Sequence, residues 1–521
     1  MSLADLHRFA AAPSIRRPTP FAIFAILTGV MTCAIVGGFT LGIAEWNMAT
    51  LASVPLIALT AIWISGGAAT AIIGLAAPTR RVRPIPQSWT PTAQTAILVT
   101  LCGEDPKPSG LHLAALRKSL NNSGLEKTTT IFVLSDTAGT AKAQAEETIF
   151  AALHSQGVLN YRRRAENIGR QPGNIADWLA HHGDNHAYMM VLDADSRMTS
   201  HRIRRMIWQL ERSPRLGLLQ AGIALVPGAT RFGRHQRIAS RLLSGTFGRG
   251  FAAWTGDSGN YWGHNAIMRV AAFRTAATLP SLSGTAPFGG DLLSHDFIEA
   301  AWIRRTGWTV ALDPDASGSC ETAPQTLGEF HRRDRRWCQG NLQHLRLLTE
   351  PGLSALSRLH LALGILSYLV APVWLILIGL IASGAVTVTG VLPLALVACV
   401  LMVPKLCALI DWLSRARTLR RRWVGLRAWS NELIVSSLIA PLVMLRQTAA
   451  VASICLGQDC GWKSGKTPRW TAPVGSVEAC IGAGFLSLAW FSGGTAALWL
   501  LPVLLPLCGA PLISRAMNAP V

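Results

Sequence analysis

Charged side chains are scarce in this sequence. Only 15% of its 521 residues are Asp, Glu, Lys or Arg, while 50% are hydrophobic and the mean hydropathy is +0.32. This balance argues against an ordinary soluble protein and indicates a membrane protein. Acidic residues are the scarcer kind, 28 against 48 basic ones, and the formal net charge is +20. Membrane orientation and anionic headgroups account for that charge, so we expect no nucleic acid among the partners.

Cysteine pairs are also lacking. The ten cysteines are scattered without a C-x-x-C pair, and those of the central region, Cys102, Cys320 and Cys338, are expected to face a reducing compartment. The pattern indicates neither disulfides nor structural zinc. Histidines 181, 182 and 186 surround a Gly-Asp-Asn turn, and we interpret them as a surface loop rather than a metal site.

Long apolar runs, in contrast, are frequent. Residues 21–44 and 51–77 contain no Lys or Arg, and each run is long enough to cross a hydrocarbon core of ~30 Å. Runs 361–383 and 391–410 form a second pair, and 474–513 divides into two shorter spans. We therefore predict six spans. Lys405 and Glu478 are isolated charges within these runs, and their scarcity argues against an ion-coupled carrier.

Basic residues predict the orientation of the spans. Arginines 16, 17, 80, 81 and 83 flank the first hairpin, and a dense basic run at 415–422 follows the second. By the positive-inside rule these segments are cytoplasmic, and so are the central region and both termini. No cleavable signal peptide is apparent, because the polar start is followed by a run long enough to span.

Residues 431–456 are ambiguous. The segment is apolar, yet it contains Pro441 and Arg446 and is followed by further cations. We interpret it as an amphipathic or re-entrant segment on the cytoplasmic face rather than a span. The predicted organisation is a cytoplasmic N-terminus (1–20), a transmembrane hairpin (21–77), a cytoplasmic α/β domain (84–350), a transmembrane hairpin (357–412), a basic cytoplasmic loop with an interfacial or re-entrant helix (413–473) and a C-terminal transmembrane hairpin (474–513).

Acidic residues follow three predicted strands of the central domain. The strands are residues 96–101, 129–134 and 188–192, they alternate with helices, and 217–221 looks like an edge strand. The acids are Glu104, Asp136, Asp193 and Asp195. Because ligands bind at the carboxyl ends of the strands in such sheets, we expect these acids at one ligand site. A helix N-cap is the alternative for Asp136.

Asp193 and Asp195 form the most informative pair. Side chains at i and i+2 of a strand point to the same side, so the two carboxylates can converge on one target. Mg²⁺ or Mn²⁺ is the natural target, since hard cations take carboxylates together with the oxygens of a diphosphate. The alternative is a solvated turn with two surface acids. Arginines 162–164 and the Gly-containing segment 167–174 fit phosphate contact, although a solvated basic face is about equally compatible.

Four later segments carry candidate functional residues. Residues 232–251 are basic and amphipathic, and 259–265 form a Gly- and aromatic-rich loop of the type that approaches a sugar closely. Asp296 lies in the first turn of a helix, either as a favourable helix-start carboxylate or as a general base. In 332–341, Trp337 is either a membrane-interface anchor or a sugar-stacking platform.

Together these motifs resemble the processive family 2 glycosyltransferases, and most closely the subgroup that makes osmoregulated periplasmic glucans. The motifs are Asp193-Ala194-Asp195, Ser294-His295-Asp296 and 333–337, with long matches at 259–265, 287–300 and 333–344. The resemblance covers the central domain strongly and the flanking spans in arrangement. It implies a multi-pass α-helical membrane protein with a cytoplasmic α/β, Rossmann-like GT-A domain. It also implies UDP-glucose as donor and a β-1,2-linked glucan extended into the periplasm.

The resemblance also implies roles for individual residues. Glu104 and Asp136 would contact the uridine side, Asp193 and Asp195 the sugar diphosphate and the metal, and Asp296 would deprotonate the acceptor hydroxyl. Arg336 would bind pyrophosphate. Acceptor contacts would come from Gly263, Asn265, His295 and Trp337. The wider family usually has Thr-Glu-Asp where this chain has Ser294-His295-Asp296, and Gln where it has Arg333, so acceptor contacts transfer poorly from cellulose synthases.

The implied partners are UDP-glucose, the growing glucan, inner-membrane lipids and a periplasmic partner that processes the glucan. Three alternatives remain open from the sequence. The first is another membrane β-glycan synthase, similar to cellulose or hyaluronan synthases. The second is a transporter with a nucleotide-binding domain, and the third is a structural scaffold, which leaves the acids at the strand ends unexplained.

Overall fold

The computed structural model describes residues 19–78, 84–86, 88–276, 278–460, 475–493 and 495–521. Most of the predicted N-terminal segment, including its arginines 16–17, the whole basic segment 80–83, and the cations after residue 460 lie outside the described residues. The strands are β1 Thr95–Leu101, β2 Thr129–Ser135, β3 Asn160–Arg163, β4 Tyr188–Asp193, β5 Arg197–Met198, β6 Leu216–Ala221, β7 Ala224–Leu225, β8 Ala266–Arg269, β9 Thr309–Asp313 and β10 Ser319–Glu321.

The described helices surround and follow these strands. They are α1 Thr19–Gly42, α2 Met48–Ala76, α3 Pro106–Asn122, α4 Thr140–Ser155, α5 Arg170–His182, α6 Ser200–Arg212, α7 Arg231–Thr255, α8 Val270–Arg274, α9 His295–Arg305, α10 Leu327–Gln343, α11 Ala355–Ala382, α12 Leu392–Arg415, α13 Leu419–Cys455, α14 Ser476–Phe491, α15 Thr495–Cys508 and α16 Ala510–Asn518.

A seven-stranded mixed sheet forms the centre of the α/β domain. Its order is β3-β2-β1-β4-β8-β6-β9, and β8 runs antiparallel to both of its neighbours while the other pairs are parallel. β1 and β4 are almost wholly buried, as their continuous apolar runs predict for strands covered on both faces. The prediction of an edge strand at 217–221 is wrong, because β6 lies between β8 and β9.

A second sheet of three short strands begins directly beyond the acidic pair. Its order is β5-β10-β7, with β10 antiparallel to β5 and parallel to β7. Asp195 stands two residues before β5. The small sheet therefore brings the chain around residue 321 to the carboxyl end of β4.

Five described helices are long and apolar enough to cross a membrane: Pro20–Gly42, Met48–Ala76, Ala355–Ala382, Leu392–Arg415 and Leu419–Cys455. The pair Ala497–Cys508 and Ala510–Asn518, bent by 51°, gives a sixth if it counts as one span, while Ser476–Phe491 is shorter. The first four match the two predicted hairpins. The C-terminal pair of spans predicted at 474–513 is instead a short helix followed by the bent pair.

The fifth helix differs from the predicted loop with an interfacial or re-entrant segment. α13 is one continuous helix of 37 residues that includes Pro441. Arg446, which argued against a span, forms an ion pair of 2.5 Å with Glu478 of α14. Lys405 likewise pairs with Glu432 at 2.7 Å. The charges that the sequence presents as isolated are therefore neutralised by partners on neighbouring helices.

Helix α7 joins the α/β domain to the apolar helices. The sequence identifies 232–251 as a basic amphipathic segment, and the structure packs this helix, α7, against α2 and α12. Arg249 donates a hydrogen bond to the Gly74 carbonyl over 3.0 Å and forms an ion pair with Asp411 at 2.8 Å. Trp254 stacks on Phe24 with ring centroids 4.3 Å apart. The end of α12 therefore lies on the same side as the α/β domain.

The close approach of α7 to α2 requires glycine at position 74. A Cβ atom at Gly74 would lie 1.7 Å from the Thr246 carbonyl oxygen, so Gly74→Ala forces the helices apart. We expect the substitution to lower the free energy of unfolding by about 1–3 kcal/mol, the usual cost of overpacking. A lower apparent melting temperature in detergent would show this. Gly67→Ala is the matched control, because a Cβ there meets nothing within 4 Å. Equal melting of the two variants would contradict the close contact.

Candidate active site

Asp193 and Asp195 lie at the carboxyl end of β4, and each is held at one oxygen. Oδ1 of Asp193 accepts hydrogen bonds from Gln171 Nε2 at 3.0 Å and from the Thr100 hydroxyl at 3.4 Å. Oδ2 of Asp195 accepts from the hydroxyl and the backbone N–H of Thr322. In the part of the chain that the structure describes, no hydrogen bond reaches the second oxygen of either carboxylate. Both residues thus present an oxygen to a ligand.

This pair fits a hard divalent cation. Carboxylate oxygens are the donors that Mg²⁺ and Mn²⁺ take, and such ions usually fill their remaining positions with substrate phosphates and water. Among the described residues, no group of three or more His, Cys, Asp or Glu side chains could hold an ion by itself. An ion held by two carboxylates keeps other positions open, which such ions usually fill with substrate phosphates or water.

Glu104 and Asp136 follow the neighbouring strands, as predicted. Glu104 is exposed and accepts a hydrogen bond from the Cys102 N–H at 2.5 Å. Asp136 is buried and forms a bidentate ion pair with Arg164, with distances of 2.7 and 2.8 Å. It does not act as a helix N-cap, since α4 begins after Gly139. The acids following β1, β2 and β4 thus line one edge of the sheet.

The three arginines at 162–164 form ion pairs with acidic side chains. Arg162 pairs with Asp177, Arg163 with Glu147 and Arg164 with Asp136. A simple solvated basic face does not describe them. Arg164 instead fixes the orientation of a carboxylate at the edge of the site.

Asp296 lies in the first turn of α9, facing the glycine-rich loop. Gly263 has a φ of +88°, and a Cβ there would lie 3.8 Å from Oδ2 of Asp296, so the loop passes directly beside this carboxylate. Burial raises the pKa of Asp296 to about 6; neighbouring His295 opposes the rise and Glu299 adds to it. A pKa near the working pH is what a general base requires.

Two of the predicted acceptor contacts are buried. Nδ1 of His295 lies 3.2 Å from Oε1 of Glu299. Burial alone would lower the pKa of His295, but Glu299 and Asp296 outweigh it and the pKa is raised. Asn265 is fully buried, has a φ of +51°, and donates to the Ser319 hydroxyl at 2.9 Å. We interpret Asn265 as a residue that shapes the loop.

Helix α10, which carries Arg336 and Trp337, packs against the turn that precedes Asp296. A Cβ at Gly340 would lie 2.2 Å from the Ser294 hydroxyl oxygen, and His344 contacts the Ser294 carbonyl at 2.8 Å, so α10 packs directly on the turn before Asp296. Trp337 is 45% exposed. The guanidinium of Arg333 lies 4.4 Å from the centre of its ring.

The opposite face of α10 contacts the apolar helices. Asp334 is buried and accepts hydrogen bonds from the Tyr368 hydroxyl of α11 and from Gln447 Nε2 of α13, both at 3.1 Å. One helix thus connects the turn of Asp296 with two of the candidate spans.

Three functional candidates were missed by sequence reasoning: His264, Glu321 and Thr322. His264 Nε2 lies 3.1 Å from Glu321 Oε2, and its Nδ1 lies 3.4 Å from the Ser196 hydroxyl. The pKa of His264 is raised, because the negative charges of Asp193 and Glu321 outweigh the opposing effect of burial. The imidazole beside Gly263 was a usable signal. Glu321 and Thr322 carry none, because only sheet pairing brings them to Asp195.

Comparison with known proteins identifies the family. The glucans biosynthesis glucosyltransferase H of Xanthomonas euvesicatoria pv. vesicatoria (strain 85-10) is 36% identical, and the alignment covers 95% of this chain and 84% of that one. The chain belongs to the glucans biosynthesis glucosyltransferase H family. The relative from Rhodopseudomonas palustris (strain TIE-1) is 34% identical over 97% of this chain and 76% of its own. Residues 188–403 match the family described as Glycosyl transferase family group 2.

Family membership confirms the predicted resemblance and the enzyme class, a hexosyltransferase that makes a glucan. With the mixed sheet and the apolar helices, it also confirms the predicted α/β glycosyltransferase fold of the GT-A kind in a multi-pass architecture. A solved structure, the mannosyltransferase PcManGT from Pyrobaculum calidifontis with GDP-Man and Mn²⁺, covers 78% of this chain and 99% of its own at 14% identity and a TM-score of 0.45. That similarity is too low for any site to be transferred from it.

Proposed function

We propose that this protein is a processive, inverting glucosyltransferase that uses UDP-glucose to extend the β-1,2-linked backbone of osmoregulated periplasmic glucans. One observation carries the proposal. The acids at the ends of β1, β2 and β4 lie at one edge of the sheet, and the turn of Asp296 is packed against α10, which contacts the candidate spans.

The acids at the sheet edge would form the donor site. Asp193 and Asp195 would hold Mg²⁺ or Mn²⁺, which when bound offsets the charge that develops on the leaving diphosphate. Glu104 and Asp136 would contact the uridine side, with Arg164 fixing the Asp136 carboxylate. Arg336 would contact the diphosphate.

Asp296 would act as the general base. It takes the proton of the acceptor hydroxyl while that oxygen attacks the anomeric carbon, the bond to the diphosphate breaks, and UDP leaves from the opposite face. Direct displacement converts an α-linked donor to a β linkage without a covalent enzyme intermediate. Gly263 leaves room for the sugar beside Asp296, and His295 supports this turn through Glu299. Trp337, exposed on the helix that touches this turn, suits an acceptor platform.

The basic run 415–422 supports a cytoplasmic catalytic domain. It follows the end of α12, where Asp411 pairs with Arg249 of α7, so it lies on the side of the α/β domain. Positive residues mark the cytoplasmic side. In the inner membrane, glucan made at Asp296 would then leave along helices α11 and α13, which contact α10. A periplasmic partner would process it.

Purified protein in detergent with UDP-glucose and Mg²⁺ tests this proposal. We expect release of UDP and formation of a polymer with β-1,2 bonds, measured by UDP detection and linkage analysis. Turnover of another sugar nucleotide alone would refute the donor, and another linkage would favour a synthase of the cellulose or hyaluronan type. Binding of UDP-glucose without turnover, under conditions that support a related synthase, would contradict the enzymatic role.

A further inference from the structure

The three-stranded sheet joins the chain after Asp195 to the chain before α10. β5 pairs antiparallel with β10, with Ser319 opposite Met198 and Cys320 opposite Arg197. Thr322 is the first residue after β10. The pairing therefore brings Thr322 beside Asp195, although 127 positions separate them in the sequence.

Thr322 contacts Asp195 through its side chain and its backbone. Its hydroxyl and its N–H, the latter at 3.3 Å, both donate to Oδ2 of Asp195. Within the described residues, Oδ1 of Asp195 accepts no hydrogen bond. A carboxylate fixed at one oxygen presents the other in a defined direction, which is how outer hydrogen bonds orient the ligands of a metal.

Asp193 has the same arrangement with different partners. Its Oδ1 accepts hydrogen bonds from Gln171 and Thr100. Each aspartate therefore uses one carboxylate oxygen for hydrogen bonds within the described part of the protein and leaves the other for a ligand. For Asp193 two side chains share the task. For Asp195 the only side-chain donor among the described residues is Thr322.

We propose that Thr322 is a positioning residue whose hydroxyl orients the Asp195 carboxylate toward the divalent cation and the donor diphosphate. The inference rests on the proposed function, in which Asp193 and Asp195 hold the metal. Thr322 is exposed, so its hydroxyl is not part of the packed core. Its backbone N–H still bonds Asp195 after substitution, so loss of the hydroxyl weakens the orientation without removing it.

The test measures Mn²⁺ binding directly, without turnover. Purified wild-type protein and Thr322→Val are titrated with Mn²⁺ in the presence of UDP, and free Mn²⁺ is followed by electron paramagnetic resonance. We expect the apparent Kd for Mn²⁺ to rise about tenfold or more in Thr322→Val, as for other outer partners of metal ligands. Thr322→Ser keeps the hydroxyl and should restore binding. Thr148→Val is the matched control, because Thr148 is exposed on α4 and its hydroxyl donates to the Gln144 carbonyl of its own helix.

In turnover assays, Thr322→Val should show a higher Mn²⁺ requirement with an unchanged kcat at saturating metal. Wild-type Mn²⁺ affinity in Thr322→Val, or a Thr322→Ser variant as weak as Thr322→Val, would overturn the inference while the proposed function stands. If wild-type protein takes up no Mn²⁺ with UDP, the metal-dependent donor site itself is wrong and the inference falls with it.

Discussion

Asp296→Asn is expected to lower kcat by about 10²–10⁴-fold, the usual contribution of a general base. The amide has nearly the same shape as the carboxylate, but it is not basic enough to take the proton of the acceptor hydroxyl. Because Asp296 does not belong to the donor acids at the end of β4, binding of UDP with Mn²⁺ should remain at the wild-type level. UDP release under saturating UDP-glucose measures the first quantity, and calorimetry with UDP and Mn²⁺ measures the second.

The pH profile gives an independent check of the same assignment. Only the ionised carboxylate acts as a base, and burial raises the pKa of Asp296 to about 6. The kcat/KM of the wild type should therefore rise with pH up to about 6 and level off above it, and the residual activity of Asp296→Asn should lack this step. Asp291→Asn, an exposed carboxylate of the same segment, is the control and should behave as wild type. Full activity in Asp296→Asn would contradict the role of general base and leave Asp296 as a carboxylate that only stabilises the start of the helix.

The sequence predicts local elements of this fold better than their neighbours. Continuous apolar runs identify β1, β2 and β4, because strands buried on both faces need no polar alternation. A continuous apolar run does not show which position the strand takes in the sheet. Residues 217–221 look like an edge, yet the antiparallel strand β8 pairs with β6 and leaves β9 at the edge. Such pairing depends on contacts between distant residues, which no local pattern records.

Helix α13 shows the same limit for charge. Arg446 leads to the prediction that residues 431–456 lie at the membrane interface, because an unpaired cation is costly inside a membrane. Its partner, Glu478, lies on another helix, 32 positions away. The pair removes the objection to a continuous apolar helix. Polarity read along one segment therefore overestimates the cost of charges that the fold brings together.

The candidate site divides along the same line. Asp193, Asp195 and Asp296 are recognisable because each stands at a strand end or a helix start, where local rules apply. Glu321 ends a strand of three residues with no periodic signal, and Thr322 follows it. Their contacts with His264 and Asp195 exist only because β10 pairs with β5. Residues that orient the chemistry are thus harder to predict than residues that perform it.

Asp195→Asn and Asp193→Asn should each lower UDP-glucose turnover by about 10³-fold, since a bound metal contributes several kcal/mol to charge stabilisation and 1.36 kcal/mol corresponds to a factor of ten. Unlike Asp296→Asn, they should also lose Mn²⁺-dependent binding of UDP, because an amide oxygen carries no charge to offset that of the ion. The measurements are the UDP-release assay and the Mn²⁺ titration with UDP.

Asp184→Asn provides the matched control for this pair. Asp184 is an exposed aspartate that pairs with Arg274 at 2.7 Å, four residues before β4 begins, so its loss removes a carboxylate near the same strand without touching the carboxyl end. If Asp195→Asn and Asp193→Asn bind UDP with Mn²⁺ as well as the wild type does, the two aspartates are surface acids of a turn and not metal ligands. Loss of binding in these two variants, together with retained binding in Asp296→Asn, would separate the donor site from the base. That separation is the division of labour expected when the metal ligands follow β4 and the proton acceptor stands at the start of α9.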